Sequence, residues 1–250
     1  MKRLVIGDIH GAYRALVQVL DRAGFDPKKD LLVSLGDVCD GWSETKQCID
    51  YLMTVKNLVY VRGNHDEWTH EWMCTGRVLP EWWTQGGKET VTSFNDQSLE
   101  QVSPYVAVHL QVPPEYRDFF YNAVPWHHID DKKCPDTVFV HGGFHRDYRI
   151  EEHGNNYEFT WDRNLIYRAM QNQIIADKQK LIPKNVTKHS RVFLGHTALN
   201  SDKPLKFCEI WNMDTGAGWS GYLSVMDIDT EEYWVSDKVS TLYPGIAGRN

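Results

Sequence analysis

Five short glycine-bearing blocks punctuate the chain, each after an apolar run: GDIHG (7–11) after 4–6, GDVCDG (36–41) after 31–35, GNHD (63–66) after 58–61, HGG (141–143) after 137–140, and GHT (195–197) after 192–194. A short apolar run closed by a turn reads as a buried strand. Loops leaving strand ends at one sheet edge are where α/β folds collect their chemistry. The five blocks therefore constrain the chain to a fold that brings five strand-end loops together.

Between the blocks the spacing alternates strand with helix. After GDIHG, Leu16, Val19, Leu20 and Ala23 fall on one helical face that stops at Gly24, and a glycine there is a normal helix stop. After GDVCDG, Cys48, Ile49, Leu52 and Val55 do the same across 44–55. Successive β-α-β units predict a largely parallel sheet covered by helices. Residues 67–130 break the rhythm with Trp68, Trp72, Trp82, Trp83 and Trp126, a Gly86-Gly87 pair and Pro113-Pro114. They are expected to form an inserted cap within a single domain spanning 1–250. The stretch 207–235, with short runs broken by Gly216, Gly218 and Gly221, is expected to form an antiparallel second sheet.

Composition narrows the partners. A chain of 250 residues with 42% hydrophobic content suffices for one domain with a substantial core. The net charge of -7 disfavours nucleic acid and anionic membrane as partners. Five scattered cysteines, Cys39, Cys48, Cys74, Cys134 and Cys208, form no CxxC pair, so neither a disulfide framework nor a thiolate zinc site is expected. No apolar run approaches membrane-spanning length, and Leu4 already opens the first strand, so a soluble cytoplasmic protein without a signal peptide is expected.

The blocks carry oxygen and nitrogen ligands only. Asp8 and His10 lie two apart, so in an extended loop both can face one metal. Asp37 has two carboxylate oxygens with which to bridge two ions, and Asn64, His141 and His196 complete the second ion's set. Such donors suit Mn²⁺, Fe or Zn²⁺ better than Mg²⁺ or Ca²⁺, and manganese is the expected metal. A lone Asp or His beside a glycine is as often a turn residue; five such blocks in order are not so easily explained away.

Taken together these blocks resemble the calcineurin-like metallophosphoesterases, in particular the phosphoprotein phosphatase group that includes bacterial and bacteriophage serine/threonine phosphatases. Two later segments are similar to that group as well: Asn212 to Ala217 followed by Gly221-Tyr222-Leu223, and Trp161-Asp162-Arg163. The resemblance implies an α/β fold, a central sandwich of two mixed β-sheets flanked by helices. It implies one metal on Asp8, His10 and Asp37, another on Asp37, Asn64, His141 and His196, and His65 as general acid. Two ions about 3.5–4 Å apart acidify a bridging water, so that the resulting hydroxide attacks phosphorus in line. His65 then protonates the leaving alkoxide, Asp40 orients the imidazole, and Arg163 forks two phosphate oxygens.

Two departures from the family pattern stand out. Its second block usually runs GDxxDRG, with an arginine that grips phosphate, whereas here Asp40 is followed by Gly41-Trp42. Asp66 stands where many protein phosphatases carry glutamate, and a supporting role is all that is expected of it. Arg62 is read as a brace, and His70, His109, His127, His128, His145, His153 and His189 as surface or satisfied core residues. The cap tryptophans are read as core rather than as a stacking platform for a base. The expected activity is hydrolysis of phosphomonoesters, foremost phosphoserine and phosphothreonine in proteins. The alternative is a nucleotide phosphohydrolase, acting on a dinucleoside polyphosphate or a phosphodiester. A binding protein that had lost turnover would lack ligand positions, and none is lacking.

Overall fold

The computed structural model describes every residue except 96, 97, 99, 155, 156 and 250. Among the described residues, ten strands form two five-stranded sheets. The first holds β1 (Arg3–Ile6), β2 (Leu31–Ser34), β3 (Asn57–Tyr60), β9 (Ser224–Asp227) and β10 (Tyr233–Val235) in the order β10-β9-β1-β2-β3. The second holds β4 (Trp126–Ile129), β5 (Thr137–Val140), β6 (Arg191–Leu194), β7 (Leu205–Phe207) and β8 (Ile210–Asn212) in the order β4-β5-β6-β8-β7. Each sheet has a parallel centre, β1-β2-β3 and β5-β6-β8, with antiparallel strands at its margins. This is the sandwich of two mixed sheets that the sequence implied.

Strand alternation builds three cores. In β1, Val5 points between the sheets while Leu4 and Ile6 point outward, as the period of two requires. The inner layer joins Val5, Val33 and Met226 to Phe139 and Phe193. The two phenylalanine rings stack at 5.1 Å, a contact worth about 0.5–1.5 kcal/mol beyond area burial. Helices Tyr13–Arg22 and Thr45–Met53 cover the outer face of the first sheet. Helix Asn164–Gln179 covers that of the second.

Two expectations need correction. The stretch 207–235 makes no separate antiparallel sheet: β8 runs parallel to β6, whereas β9 and β10 close the first sheet. The runs were legible as strands, but their partners are set by how the two sheets close. The Trp-rich region holds helices from Asn64–Thr75 to Pro114–Tyr121. Trp72, Trp82, Tyr116 and Phe120 share one core with the outer helices of the first sheet. The last residues of the expected cap range form β4, an edge strand of the second sheet.

Parallel direction delivers the blocks. GDIHG, GDVCDG and GNHD leave the ends of β1, β2 and β3, while HGG and GHT leave β5 and β6. All five loops therefore emerge at the same ends of their sheets.

Candidate metal centre

Loop-to-loop hydrogen bonds hold the five blocks together. Ile9 and His10 N–H donate to the Asp37 carbonyl at 3.0 and 2.9 Å, and Gly11 N–H donates to that of Val38 at 2.7 Å. Gly195 N–H reaches the His141 carbonyl at 2.9 Å. The close approach demands glycine at two positions: a Cβ on Gly63 would collide with Asp37 Oδ1, and one on Gly195 with Asp8 Oδ1. His10, Asp37, Asp40 and His196 all lie in the left-handed region, with φ of 50, 51, 65 and 65°. Strain of about 1–3 kcal/mol per residue persists there because the surrounding bonds fix each turn. Such strain gathers where side chains must be aimed rather than merely packed.

Asp66 does much of this fixing. Its carboxylate accepts from the N–H of Asp37 at 2.9 Å, Val38 at 3.1 Å and Gly63 at 2.8 Å. Burial, with the Asp37 charge, pushes it up to about 6. The supporting role expected from sequence thus has a definite form: it shapes the loop that carries Asp37.

Asp8, His10, Asp37, Asn64, His141 and His196 converge and are all buried. Ligand atoms of Asp8, His10 and Asp37 lie within 4.8 Å of one another, and so do those of Asp37, His141 and His196. Asp37 belongs to both groups. The imidazoles are oriented alike. His10 Nδ1 is 2.8 Å from the Cys39 carbonyl and His141 Nδ1 is 2.8 Å from that of Leu35. A carbonyl only accepts, so each Nδ1 carries a proton and each Nε2 faces inward. His141 Nε2 lies 3.1 Å from Asn64 Oδ1 and 3.3 Å from Asp37 Oδ2.

These residues fit divalent cations. His196 Nε2 is buried and, among the described residues, finds no hydrogen-bond partner, a costly state for a polar atom. Its own N–H holds the Asp8 carboxylate, 2.9 Å from Oδ2. Burial pushes Asp8 well above the usual carboxylate range, with Asp214 and Asp37 adding to it. Burial lowers His10 and His196, the latter to about 2, leaving neutral imidazoles. Burial acts against a charged His141 too, but the charges of Asp37, Asp8 and Asp66 outweigh it and push that imidazole up to about 10, so that without an ion its Nε2 also carries a proton, one that a bound metal would displace. The centre thus gathers excess negative charge around inward-facing lone pairs, the environment a metal ion satisfies.

Beside these residues, His65 Nδ1 lies 2.9 Å from Asp40 Oδ2, and both side chains are buried. Asp40 Oδ1 also accepts from Thr69, Trp82 and Thr90 at 3.2, 2.9 and 2.7 Å. Burial pushes Asp40 up to about 7 against the pull of Thr90 and Trp82, and burial lowers His65 to about 3. Sequence reasoning missed Trp82 and Thr90 because they arrive from the Trp-rich region. The reading of those tryptophans as core holds for Trp72 and Trp82, both 1% exposed.

A cleft of about 800 Å³ opens onto His196 and is walled by Arg163, Asp214, Trp219, Tyr222 and Arg249, among others. Arg163 is exposed, its guanidinium held by the His196 carbonyl at 3.0 Å. Asp214 lies in the 212–217 segment to which the sequence assigned no site role, and Arg249 is a cleft residue that the sequence did not single out. Arg62 braces the Ala123 carbonyl at 3.1 Å, away from this cleft. A further trio, His128, Asp136 and His189, is engaged internally: His189 uses Nδ1 on Asp136 and Nε2 on the Ile150 N–H.

The chain is similar to known proteins. A family model described as "calcineurin-like phosphoesterase" matches residues 1–221. A serine/threonine-protein phosphatase 1 of Salmonella typhimurium is 25% identical over 226 residues, covering 90% of each chain. A symmetrical bis(5'-nucleosyl)-tetraphosphatase of Pseudomonas fluorescens is 25% identical over 278 residues, covering 93% of each. Among solved structures, a protein serine/threonine phosphatase from Saccharomyces cerevisiae superposes with a TM-score of 0.56 at 13% identity, over 100% of this chain and 83% of that one.

Proposed function

We propose that this chain, which belongs to the calcineurin-like phosphoesterase family, is a dinuclear phosphomonoester hydrolase acting as a serine/threonine protein phosphatase. That it is a hydrolytic metalloenzyme follows from the family; the substrate and the residue roles are our reading. Asp8, His10 and Asp37 would hold one divalent ion, and Asp37, Asn64, His141 and His196 the other. Manganese suits this mixed oxygen and nitrogen set. The ions would supply positive charge to the phosphate oxygens and acidify a water nucleophile.

The chain's own groups do the rest. Asp40 fixes His65 through Nδ1, which leaves Nε2 to deliver a proton to the leaving alkoxide. The donors from Thr69, Trp82 and Thr90 favour the ionised form of Asp40. A dianionic ester arriving beside His65 favours the protonated imidazole that donation requires. Arg163, on the cleft wall beside His196, holds phosphate oxygens. The observation that carries the reading is the pair of ligand groups sharing Asp37, next to the His65–Asp40 pair. Five free thiols support the cytoplasm as its compartment.

One observation favours a second reading, a nucleotide phosphohydrolase. Trp219 is 44% exposed and shares the cleft wall with Tyr222, a surface on which a base can stack. A substrate panel separates the two: para-nitrophenyl phosphate, its bis ester, a phosphoserine peptide and a dinucleoside tetraphosphate, each with EDTA or Mn²⁺. Manganese-dependent turnover strongest on the monoester and peptide supports the protein phosphatase; preference for the diester or dinucleotide moves the substrate to nucleotides.

A further inference from the structure

The family's usual second-block arginine is absent at Gly41, yet another arginine borders the space over Gly41 beside His10. A Cβ built on Gly41 would meet His10 O and Cβ at 2.9 and 3.0 Å and then Arg249 Cγ at 3.4 Å, and one on Gly218 would meet the His10 ring at 2.5 Å and Arg249 Cδ at 3.2 Å. Segment 244–249 follows helix Val239–Leu242 and packs back over the mouth of the centre. Tyr243 at its start stacks on Trp42 at 4.7 Å. Arg249 N–H donates to the Gly218 carbonyl at 2.8 Å.

The Arg249 side chain is aimed, not loose. Its guanidinium lies 5.0 Å over the Trp219 ring, with Nη2 donating to Gln85 Oε1 at 3.2 Å and Nη1 3.2 Å from His10 Nε2. Its Nε is buried and finds no hydrogen-bond partner among the described residues. A guanidinium has more N–H donors than these contacts use, set in a planar fork that matches phosphate. Arg163 stands on the same cleft wall beside His196. Two arginines thus border one pocket in a chain of net charge -7.

We propose that Arg249 is a substrate-binding residue, a second cationic fork for the phosphate, supplied by segment 244–249 where position 41 has no side chain. The inference rests on the phosphoesterase reading of the cleft. It makes closure of that segment over Trp42 and Trp219 part of building the substrate site. It also makes affinity for the dianionic group depend on a residue remote in sequence from every metal-site block.

The test uses the Mn²⁺-loaded protein and inorganic phosphate as probe, by isothermal titration calorimetry, beside KM and kcat for para-nitrophenyl phosphate and the metal content of each variant. Arg249→Ala should weaken phosphate binding and raise KM by about tenfold or more, with metal content unchanged. Arg249→Lys should recover part of the loss, and Lys178→Ala, a charge control in the last turn of helix Asn164–Gln179, should change neither quantity. Unchanged phosphate affinity and KM in Arg249→Ala overturn the proposal. So does tighter metal binding with a higher kcat, since Arg249 would then be a plug on His10, and so does an equal loss in Lys178→Ala. Loss of phosphate affinity in a protein that hydrolyses none of the esters keeps this inference and sinks the proposed function. Hydrolysis with indifferent Arg249 variants does the reverse.

Discussion

The floor and the rim of the cleft are built on different terms. On the floor, Asp8, His10, Asp37, Asn64, His141 and His196 are at most 7% exposed. Their loops are stitched to one another by backbone bonds and aimed by strained turns. On the rim, Arg163 hangs from one carbonyl and one hydroxyl, and Trp219 stands 44% exposed. The floor is fixed by the fold and can serve one chemistry. The rim is held by a few side-chain contacts and can be re-cut for another ester without disturbing the floor. The chain's relatives include one named a serine/threonine-protein phosphatase and one named a bis(5'-nucleosyl)-tetraphosphatase.

The contrast is broken most severely from the floor. Asp37→Asn should remove turnover and bound metal together, read by elemental analysis beside the assay; metal content and activity both retained would break the shared-ligand account. Next is His65→Asn, expected to cut kcat about 10²–10⁴-fold while KM and metal content stay near those of the parent. Intact turnover there would strike out His65 as the acid. On the rim, Arg163→Ala should raise KM about tenfold and change kcat less; a collapse of kcat with KM unmoved would place Arg163 with the floor instead. Between the two, Trp82→Phe deletes one donor to a buried carboxylate and should cost about 1–3 kcal/mol of stability in urea unfolding, with a smaller fall in kcat than His65→Asn. The smallest effect on turnover belongs to Asp136, far from both. Burial opposes its charge, but Arg149 and His189 hold it well below the usual carboxylate range. Its contribution to stability is therefore present above the unfolded carboxylate range and lost as pH falls. Asp136→Asn should unfold more readily than the parent at neutral pH, converge with it in acid, and hydrolyse substrate at the parent rate.

The floor residues were grouped from the sequence, whereas of the rim only Arg163 was named, for a physical reason. Each floor residue sits beside a glycine after an apolar run, so identity, turn and strand end are encoded within a few neighbouring residues. Asp40 and His65 could be paired because both occur inside such blocks. Trp82 and Thr90 reach Asp40 across 42 and 50 positions, and Arg249 reaches His10 across 239. No local spacing marks such approaches, which depend on how the Trp-rich helices and segment 244–249 fold back. The same limit explains β8, β9 and β10: alternation announced strands, yet strand partners are a property of the closed sandwich. Arg163 in its Trp161-Asp162-Arg163 segment and the missing side chain at Gly41 were the local signals of the rim.

The central claim is that the floor holds two divalent ions and that turnover requires them. The most direct measurement titrates EDTA-stripped protein with Mn²⁺, following bound metal and para-nitrophenyl phosphate hydrolysis in the same samples. The account predicts no turnover in the stripped protein and full turnover only as a second ion binds per chain. Turnover that survives stripping, or that saturates with a single ion bound, would contradict it.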